Sequence, residues 1–294
     1  MLLESVEYTR PATVEEALAA LASNEEAAPL AGGQSLINVL KNRVARVALL
    51  VDISRLAELK GVEARSEGSL EIGACATYDE IDRSAEVRRG HAILADVAGR
   101  IEDQQIRNRG TIGGNCCLSD PTNNLPPLLM ALGATMNIQG GAGVREVAAD
   151  DFFHGYFSTA VEQGELLRSI TLPALEPNAG AGYNSLTIAE DSKAIVRASA
   201  YVRGNGTIED ARVVLSVVGP RPIRHAGMEE RLRGRPATDE TVATASEAMG
   251  DGDEFELSPP TDAHASAGYR RRMAPVVARR AVREAMTRGG NGGE

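Results

Sequence analysis

Near the amino terminus, short apolar runs alternate with segments whose apolar residues recur at helical spacing. The segment Pro11–Ala22 (PATVEEALAALA) has apolar residues three and four apart, which predicts an amphipathic helix. Thr13 precedes this stripe as a candidate N-cap, and Glu16 follows three residues later, as in a capping box. Two strands and a second short helix are predicted at Ala27–Leu30, Val47–Ile53 and Ser35–Lys41. Strands that alternate with short helices predict a β-α-β-α-β unit of the α/β class over residues 4–53.

The middle of the chain carries strand and helix patterns that do not alternate regularly. These patterns predict strands at Ser69–Ala74, Thr135–Gln139 and Leu166–Leu172, and helices at Thr77–Ser84 and Ala92–Ile101. A stretch rich in Pro, Gly and Ala follows at Glu176–Gly182 (EPNAGAG). Because such residues interrupt regular structure, we expect a linker between two domains at this point.

Beyond that stretch, two strand patterns come first and two helical patterns come last. The strands are predicted at Ala194–Val202 and Ala211–Val218, and the helices at Asp239–Met249 and Ala263–Met286. This order predicts an α+β domain in which helices pack on an antiparallel sheet. The last residues, RGGNGGE, predict a disordered tail. We therefore expect three units, residues 1–58, 59–175 and 176–287, followed by a tail over residues 288–294.

Composition and charge then restrict the classes of function. The chain of 294 residues has 31 basic and 41 acidic side chains, a net charge of −10, which argues against a non-specific nucleic-acid binder. It shows neither a secretory leader nor an apolar run of about 18 residues that could span a bilayer. The three cysteines, Cys75, Cys116 and Cys117, favour reduced thiols in the cytoplasm and are fewer than the roughly four that an iron–sulfur cluster needs. We expect the adjacent pair to be small buried packing residues, and the four scattered histidines predict no metal site.

Two glycine pairs are the strongest candidates for chemistry. The segment Ala31–Leu36 (AGGQSL) follows a predicted strand and opens a predicted helix, where main-chain amides suit a phosphate. The segment Thr111–Asn115 (TIGGN) has the same character, a glycine pair flanked by small polar side chains. Neither matches a Rossmann or P-loop pattern, and either one alone is also compatible with a simple tight turn. Together they favour a bound diphosphate.

These two segments also resemble those of a known family. AGGQSL and TIGGN are similar to the paired FAD-binding segments in the flavin subunits of molybdenum hydroxylases. This group includes the medium subunit of aerobic carbon monoxide dehydrogenase and the flavin domain of xanthine dehydrogenase. The runs PATVEEALAAL, QIRNRGTIGGN, GELLRSITLP and SAGYRRRMAPVVARRAV also resemble the family, in the same order along the chain. The resemblance covers nearly the whole chain and implies a two-subdomain PCMH-type FAD-binding fold, followed by a C-terminal α+β domain.

The resemblance also implies the residues that contact FAD. The first segment would wrap the diphosphate with Pro29, Leu30, Ala31, Gly32, Gly33, Gln34, Ser35 and Leu36. The second would hold the diphosphate and ribityl region with Thr111, Ile112, Gly113, Gly114 and Asn115. Asp120 and Asn124 fall where relatives carry a flavin-contacting acidic loop, and Leu167 lies in a strand near the isoalloxazine ring. No side chain is expected to act as a catalytic acid or base on the primary substrate.

Two positions depart from the family pattern. Relatives often carry an acidic residue at the position of Asn124, and an aromatic residue that shields one flavin face at the position of Lys193. A cation beside the flavin could stabilise an anionic reduced ring, which is our hypothesis for Lys193.

The implied role is that of an electron relay within a heterohexamer, two copies each of three chains. A large molybdenum-binding subunit with molybdopterin would oxidise the substrate, which could be carbon monoxide, a purine or an N-heterocycle. A small subunit with [2Fe–2S] clusters would feed electrons to FAD in this chain, and a quinone, NAD or oxygen would receive them. A self-contained flavin oxidoreductase and a non-catalytic nucleotide-binding protein remain as alternatives. The arginines of the run Tyr269–Met273 are compatible with a solvated helix face or with a docking surface for a partner.

Overall fold

The computed structural model describes residues 3–189, 193–249 and 258–290, and its amino-terminal unit is a three-stranded parallel sheet with two helices. The elements are β1 (Glu7–Thr9), α1 (Val14–Ala22), β2 (Ala27–Leu30), α2 (Leu36–Lys41) and β3 (Leu49–Asp52), with strand order β1-β3-β2. The predicted β-α-β-α-β unit is confirmed. Helix α1 starts three residues later than predicted because Thr13 takes the N-cap position and accepts from the Glu16 amide. The Glu16 carboxylate in turn accepts from the Ala12 amide at 2.7 Å.

The second unit packs helices against a five-stranded antiparallel sheet. A 3₁₀ turn at Ala57–Leu59 precedes β4 (Val62–Ala64), β5 (Leu70–Gly73), α3 (Tyr78–Arg83), α4 (Ala85–Ala98), α5 (Gln104–Arg107), α6 (Ile112–Leu118), α7 (Leu125–Leu132), β6 (Thr135–Gly140), β7 (Gly143–Ala148), α8 (Ala149–Phe152), β8 (Phe153–Gly155), β9 (Ser158–Thr159) and β10 (Leu166–Leu172). The sheet has the order β4-β5-β10-β6-β7, and β8 and β9 form a separate hairpin. The fully apolar helix α7 is buried in its core. This burial explains why its sequence has no polar face.

The third unit is the predicted α+β domain with an antiparallel sheet. Its elements are β11 (Ala179–Thr187), β12 (Ala194–Gly204), β13 (Ile208–Ser216), β14 (Ile223–Arg224), α9 (Ala226–Leu232), α10 (Asp239–Ser246), a 3₁₀ turn (Glu247–Met249) and α11 (Ala267–Arg288). The strands follow one another in the order β11-β12-β13-β14. Helix α11 covers β11 and β12.

The linker predicted at Glu176–Gly182 is wrong for its second half, which forms the start of β11. The glycines there serve close packing rather than flexibility. A Cβ on Gly182 would lie 2.0 Å from the Ala281 carbonyl oxygen of α11, and one on Gly180 would lie 2.1 Å from that of Ala285. Only glycine lets this helix approach the strand so closely.

The carboxyl-terminal helix also differs from its prediction. It extends through Arg288, which pairs with Asp96 at 2.7 Å, so this residue belongs to the helix and not to the predicted tail. Residues 291–294 of that tail lie outside the described residues. Within the basic run, Arg270 is buried and bonds the Ile195 carbonyl and Asp262, so the run is not a uniform exposed face. Among the helices of the described ranges, none is long and apolar enough to cross a membrane.

Candidate functional site

An open cleft of about 420 Å³ lies at the carboxyl ends of β2 and β3. It is lined by Leu30, Ala31, Gly32, Gly33, Gln34, Ile37, Asn38, Lys41, Asp52, Ser54 and Arg109. The strands are parallel, so both chain segments leave the sheet at the same edge, the usual place for ligands in such sheets. Most of the first predicted segment therefore lines a cleft, although Pro29, Ser35 and Leu36 are not among its lining residues.

The first glycine segment offers uncommitted main-chain donors. Within the described part of the chain, the amides of Gly32, Gly33, Gln34 and Ser35 have no hydrogen-bond acceptor. Gly33 has a φ of +72°, which turns the chain from β2 into α2 and favours glycine. Successive free amides before a helix form a binding site suited to an anion.

The second glycine segment is built differently, because it forms the first turn of α6 rather than a loop. The Ile112 and Gly113 amides donate to the carbonyls of Ala76 and Ala74, at 3.0 and 2.9 Å. The Gly114 amide donates to the Thr111 hydroxyl at 3.1 Å, and the Asn115 amide donates to the Thr111 carbonyl. The main-chain amides of this segment are therefore already used at the helix start, unlike those of the first segment, and contact of Thr111–Asn115 with FAD stays a prediction from the family resemblance.

The two segments nevertheless touch. A Cβ on Gly32 would lie 2.0 Å from the Arg109 carbonyl oxygen and 3.1 Å from the Gly110 Cα. Arg109 thus reaches the cleft directly from the residues that precede α6. Glycine at position 32 is needed for this contact between the first and second units.

Charged groups of both signs face the cleft. The side chains of Lys41 and Arg109 have no ion-pair partner among the described residues. Asp52, opposite in sign, accepts from the Tyr8 hydroxyl at 2.6 Å and from the Ser54 amide at 2.9 Å. Burial raises the pKa of Asp52, but these hydrogen bonds outweigh it, so its pKa lies below the usual value and it is anionic at neutral pH.

Asp120 and Asn124 lie in the segment that joins α6 to α7, residues 119–124, which we call the Asp120 loop. The Lys193 ammonium group donates to the Asp120 carboxylate at 3.0 Å. The side-chain amide of Asn124 donates to the Tyr183 hydroxyl at 3.1 Å. Burial raises the pKa of Asp120, but hydrogen bonds from Thr122 and Lys193 outweigh this effect, so its pKa lies below the usual value and the carboxylate stays ionised. The structure therefore joins Lys193 to Asp120 and places Asn124, at the end of the same loop, against Tyr183.

Other predicted site residues are committed to the fold. The side chains of Ile112 and Leu167 lie in the core of the second unit, 0% and 3% exposed, because each faces the sheet–helix interior. Gly113 is also a packing residue, since a Cβ there would lie 2.6 Å from the Ala74 carbonyl oxygen. Asn115 is buried and donates to the Tyr78 hydroxyl. Cys116 is buried as expected, whereas Cys117 is exposed, so the prediction of a buried pair is wrong for Cys117.

Sequence reasoning missed several lining residues, namely Ile37, Asn38, Lys41, Asp52, Ser54 and Arg109. The sequence does contain a pattern that could have identified some of them. Gln34, Asn38 and Lys41 are spaced by four and three residues, which places them on one face of a short helix. Asp52 ends an apolar strand, at the edge where parallel strands place their ligands.

Comparison with known proteins agrees with this architecture. The family described as the FAD binding domain in molybdopterin dehydrogenase matches residues 4–175, and the CO dehydrogenase flavoprotein C-terminal domain matches residues 181–285. The carbon monoxide dehydrogenase medium chain of Hydrogenophaga pseudoflava is 35% identical, covering 98% of this chain and 99% of that one. The glyceraldehyde dehydrogenase medium chain of Sulfolobus acidocaldarius is 33% identical, covering 94% of this chain and 97% of that one.

A solved structure is equally similar. A chain in the structure of carbon monoxide dehydrogenase from Hydrogenophaga pseudoflava superposes with a TM-score of 0.93 at 33% identity, covering 98% of this chain and 99% of that one. Fold and sequence thus agree over nearly the whole length of the chain. The chain therefore belongs to the FAD-binding flavoprotein subunits of the molybdopterin dehydrogenase family, a family of oxidoreductases.

Proposed function

We propose that the cleft at the carboxyl ends of β2 and β3 holds the diphosphate of FAD. The observation that carries this proposal is the run of amides at Gly32–Ser35 and the cations of Lys41 and Arg109, which have no hydrogen-bond or ion-pair partner among the described residues. Amides at a helix start and basic side chains are the usual partners of a diphosphate. The chemistry of the cleft therefore fits the cofactor that the family binds.

If the cleft holds the FAD diphosphate, its charged and polar side chains would each contact a part of the cofactor. Lys41 and Arg109 would balance the charge of the diphosphate, and Asp52 would accept a hydrogen bond from a ribose hydroxyl. Thr111 is not among the residues that line the cleft; its hydroxyl accepts from the Gly114 amide, and its own proton would be available to the ribityl region that the family resemblance assigns to this segment. Asp120, Asn124 and Lys193 remain our prediction for the flavin end, which rests on the family resemblance.

When bound, FAD supplies the exchange between one-electron and two-electron transfer. The residues of this chain bind it, orient it and fix the charges around it. No side chain of this chain is assigned as an acid or base for an organic substrate.

The proposal extends to the complex in which this chain works. We propose a heterohexamer in the cytoplasm with a large molybdenum-binding subunit carrying molybdopterin and a small [2Fe–2S] subunit, from which this chain passes electrons to an external acceptor. The names of the relatives support a role as one chain among several, since both are medium chains of dehydrogenases. Their names also show why the substrate stays open, because carbon monoxide and glyceraldehyde are chemically unrelated.

We also propose the division into units at residues 1–58, 59–175 and 176–287. Each contains its own sheet, and the cleft lies at the boundary of the first two, where Gly32 meets Arg109. Two flavin-clasping units and a third that closes the site would follow from this division.

The test is a titration of the purified full-length chain with FAD, ADP and riboflavin. If the diphosphate carries the binding, we expect FAD to bind with the spectral change of a held flavin and ADP to compete with it. Riboflavin, which has no phosphate, should compete far less well. Absence of FAD binding, or competition by riboflavin alone, would contradict the proposal.

Electron relay is tested by comparing the chain alone with the complete complex. We expect substrate-dependent reduction of the flavin only when the molybdenum and iron–sulfur subunits are present. Turnover of a reduced organic substrate by the chain alone would instead support a self-contained flavin oxidoreductase.

A further inference from the structure

Arg197 of β12 carries a buried positive charge. Its side chain is 2% exposed, and no carboxylate in the described ranges forms an ion pair with it. One guanidinium nitrogen donates to the carbonyls of Thr122 and Asn123, at 2.5 and 2.6 Å. The guanidinium carbon lies 5.6 Å from the centre of the Tyr183 ring. Main-chain carbonyls and an aromatic face are thus its partners.

Both carbonyls belong to the Asp120 loop, which the sheet of the third unit holds from one side. Arg197 and Ser216 are paired across β12 and β13, and the Ser216 hydroxyl donates to the Pro121 carbonyl. Three successive carbonyls, those of Pro121, Thr122 and Asn123, are therefore fixed by two neighbouring side chains of the sheet. On the other side, the side-chain amide of Asn123 donates to the Asn115 main-chain carbonyl of α6 at 2.7 Å.

This arrangement is hard to explain as a device for stability alone. Burying a guanidinium without an anion is unfavourable, and the Arg197 Nε has no hydrogen-bond partner among the described groups. The hydroxyl oxygens of Ser185 and Ser199, which neighbour Arg197 in the sheet, are also buried without a hydrogen-bond partner in the described part of the chain. Sites that keep such unfavourable groups are commonly those where position or charge is needed for function.

We propose that Arg197 is the positioning residue of the flavin site. It clamps the Asp120 loop so that Asp120 and Asn124 face the cofactor, and it places a fixed positive charge behind them. The inference rests on the proposed binding of FAD to this chain, because it assigns the Asp120 loop to the flavin end. A buried positive charge near a flavin stabilises the reduced, more negative form, so it raises the reduction potential.

The experiment measures the FAD dissociation constant and the flavin reduction potential in full-length Arg197→Gln and Arg197→Lys. We expect Arg197→Gln to raise the dissociation constant by about tenfold, the effect of losing hydrogen bonds from a charged donor. Its reduction potential should fall. Arg197→Lys keeps the charge but loses the two-carbonyl clamp, so its potential should return towards wild type while binding stays weakened.

Arg212 provides a matched control on the neighbouring strand. It stacks on the Tyr201 ring at 4.5 Å and donates to the Ala131 carbonyl, away from the Asp120 loop. Arg212→Gln should lower stability without moving the potential. Wild-type values of binding and potential in Arg197→Gln, or equal changes in both glutamine variants, would overturn the proposal.

If Arg197→Gln does not fold, Arg197→Lys carries the test, and an unchanged dissociation constant in that variant overturns the clamp. Failure of the wild-type chain to bind FAD would instead count against the proposed function, and the two failures are thereby distinguished.

Discussion

The Gly32-Gly33 pair and the Gly113-Gly114 pair both stand at the start of a helix, but their main-chain amides differ in use. The amides of the first pair have no acceptor in the part of the chain that the structure describes, and they face an open cleft. Those of the second donate to Ala74 and to the Thr111 hydroxyl, so they belong to the fold. The same residue type therefore serves ligand access in one place and close packing in the other.

The neighbours of each glycine explain the difference. Gly113 is tight against Ala74 within one unit, whereas Gly32 is tight against Arg109 across the boundary between two units. A packing glycine stabilises whichever unit contains it. A glycine at a boundary instead sets how closely two units approach, and so it shapes the cleft between them.

The largest loss of FAD affinity is expected from Gly32→Ala. The new Cβ would lie 2.0 Å from the Arg109 carbonyl oxygen, so the two segments must separate and the cleft must change shape. If this separation removes two amide hydrogen bonds to the charged diphosphate, FAD binding should weaken by about a hundredfold or more. Fluorescence titration of the folded variant would measure this loss.

Gly113→Ala is the matched control for that variant. Its Cβ would lie 2.6 Å from Ala74, which should lower the free energy of unfolding by about 1–3 kcal/mol, as overpacking does. FAD affinity of its folded fraction should stay near wild type. If Gly113→Ala lost FAD as strongly as Gly32→Ala, the two glycines would share one role and the comparison would fail.

A smaller effect is expected when the cations of the cleft are neutralised. Lys41→Met and Arg109→Met should each weaken FAD binding by about tenfold, since each removes a charge-assisted contact with the diphosphate. Because neither side chain has an internal ion pair within the described residues, thermal stability without FAD should hardly change. Arg100→Met, an exposed arginine outside the cleft, is the control.

Varying the ionic strength tests the same contribution of Lys41 and Arg109 to FAD binding. Wild-type affinity should fall as ionic strength rises, and the methionine variants should lose part of that dependence. Equal salt dependence in wild type and variants would place these cations outside the binding site.

The fold was largely predictable because its signals are local. The capping residues Thr13 and Glu16 and the apolar runs of the first unit depend on neighbours in sequence, and they are confirmed. The linker at Glu176–Gly182 was mispredicted because glycine is ambiguous. Its purpose at Gly180 and Gly182 becomes visible only when α11, about a hundred residues later, packs on the strand.

The site was predictable in kind but not in detail. Glycines before a helix indicated an anion site, yet the sequence does not show which amides are already bonded. The commitment of the Gly113 amide depends on Ala74 and that of the Ile112 amide on Ala76, both brought close only by the fold. Arg197 was missed for the same reason, since nothing in a strand pattern reveals that its partners are carbonyls of a distant loop.

The smallest effects on stability and FAD affinity are expected from the hydroxyls at the two helix starts. The Thr111 hydroxyl caps α6, whereas Ser35 makes no side-chain cap for α2. Thr111→Val should therefore lower the free energy of unfolding by about 1 kcal/mol, and Ser35→Ala should leave it almost unchanged. If the free Ser35 hydroxyl donates to the cofactor, Ser35→Ala should instead weaken FAD binding about threefold, the effect of one neutral hydrogen bond. Chemical denaturation and FAD titration would measure the stability and the FAD affinity of each variant. A stability loss confined to Thr111→Val and an affinity loss larger in Ser35→Ala would separate fold from site, whereas equal losses of stability would mean that both helix starts are structural.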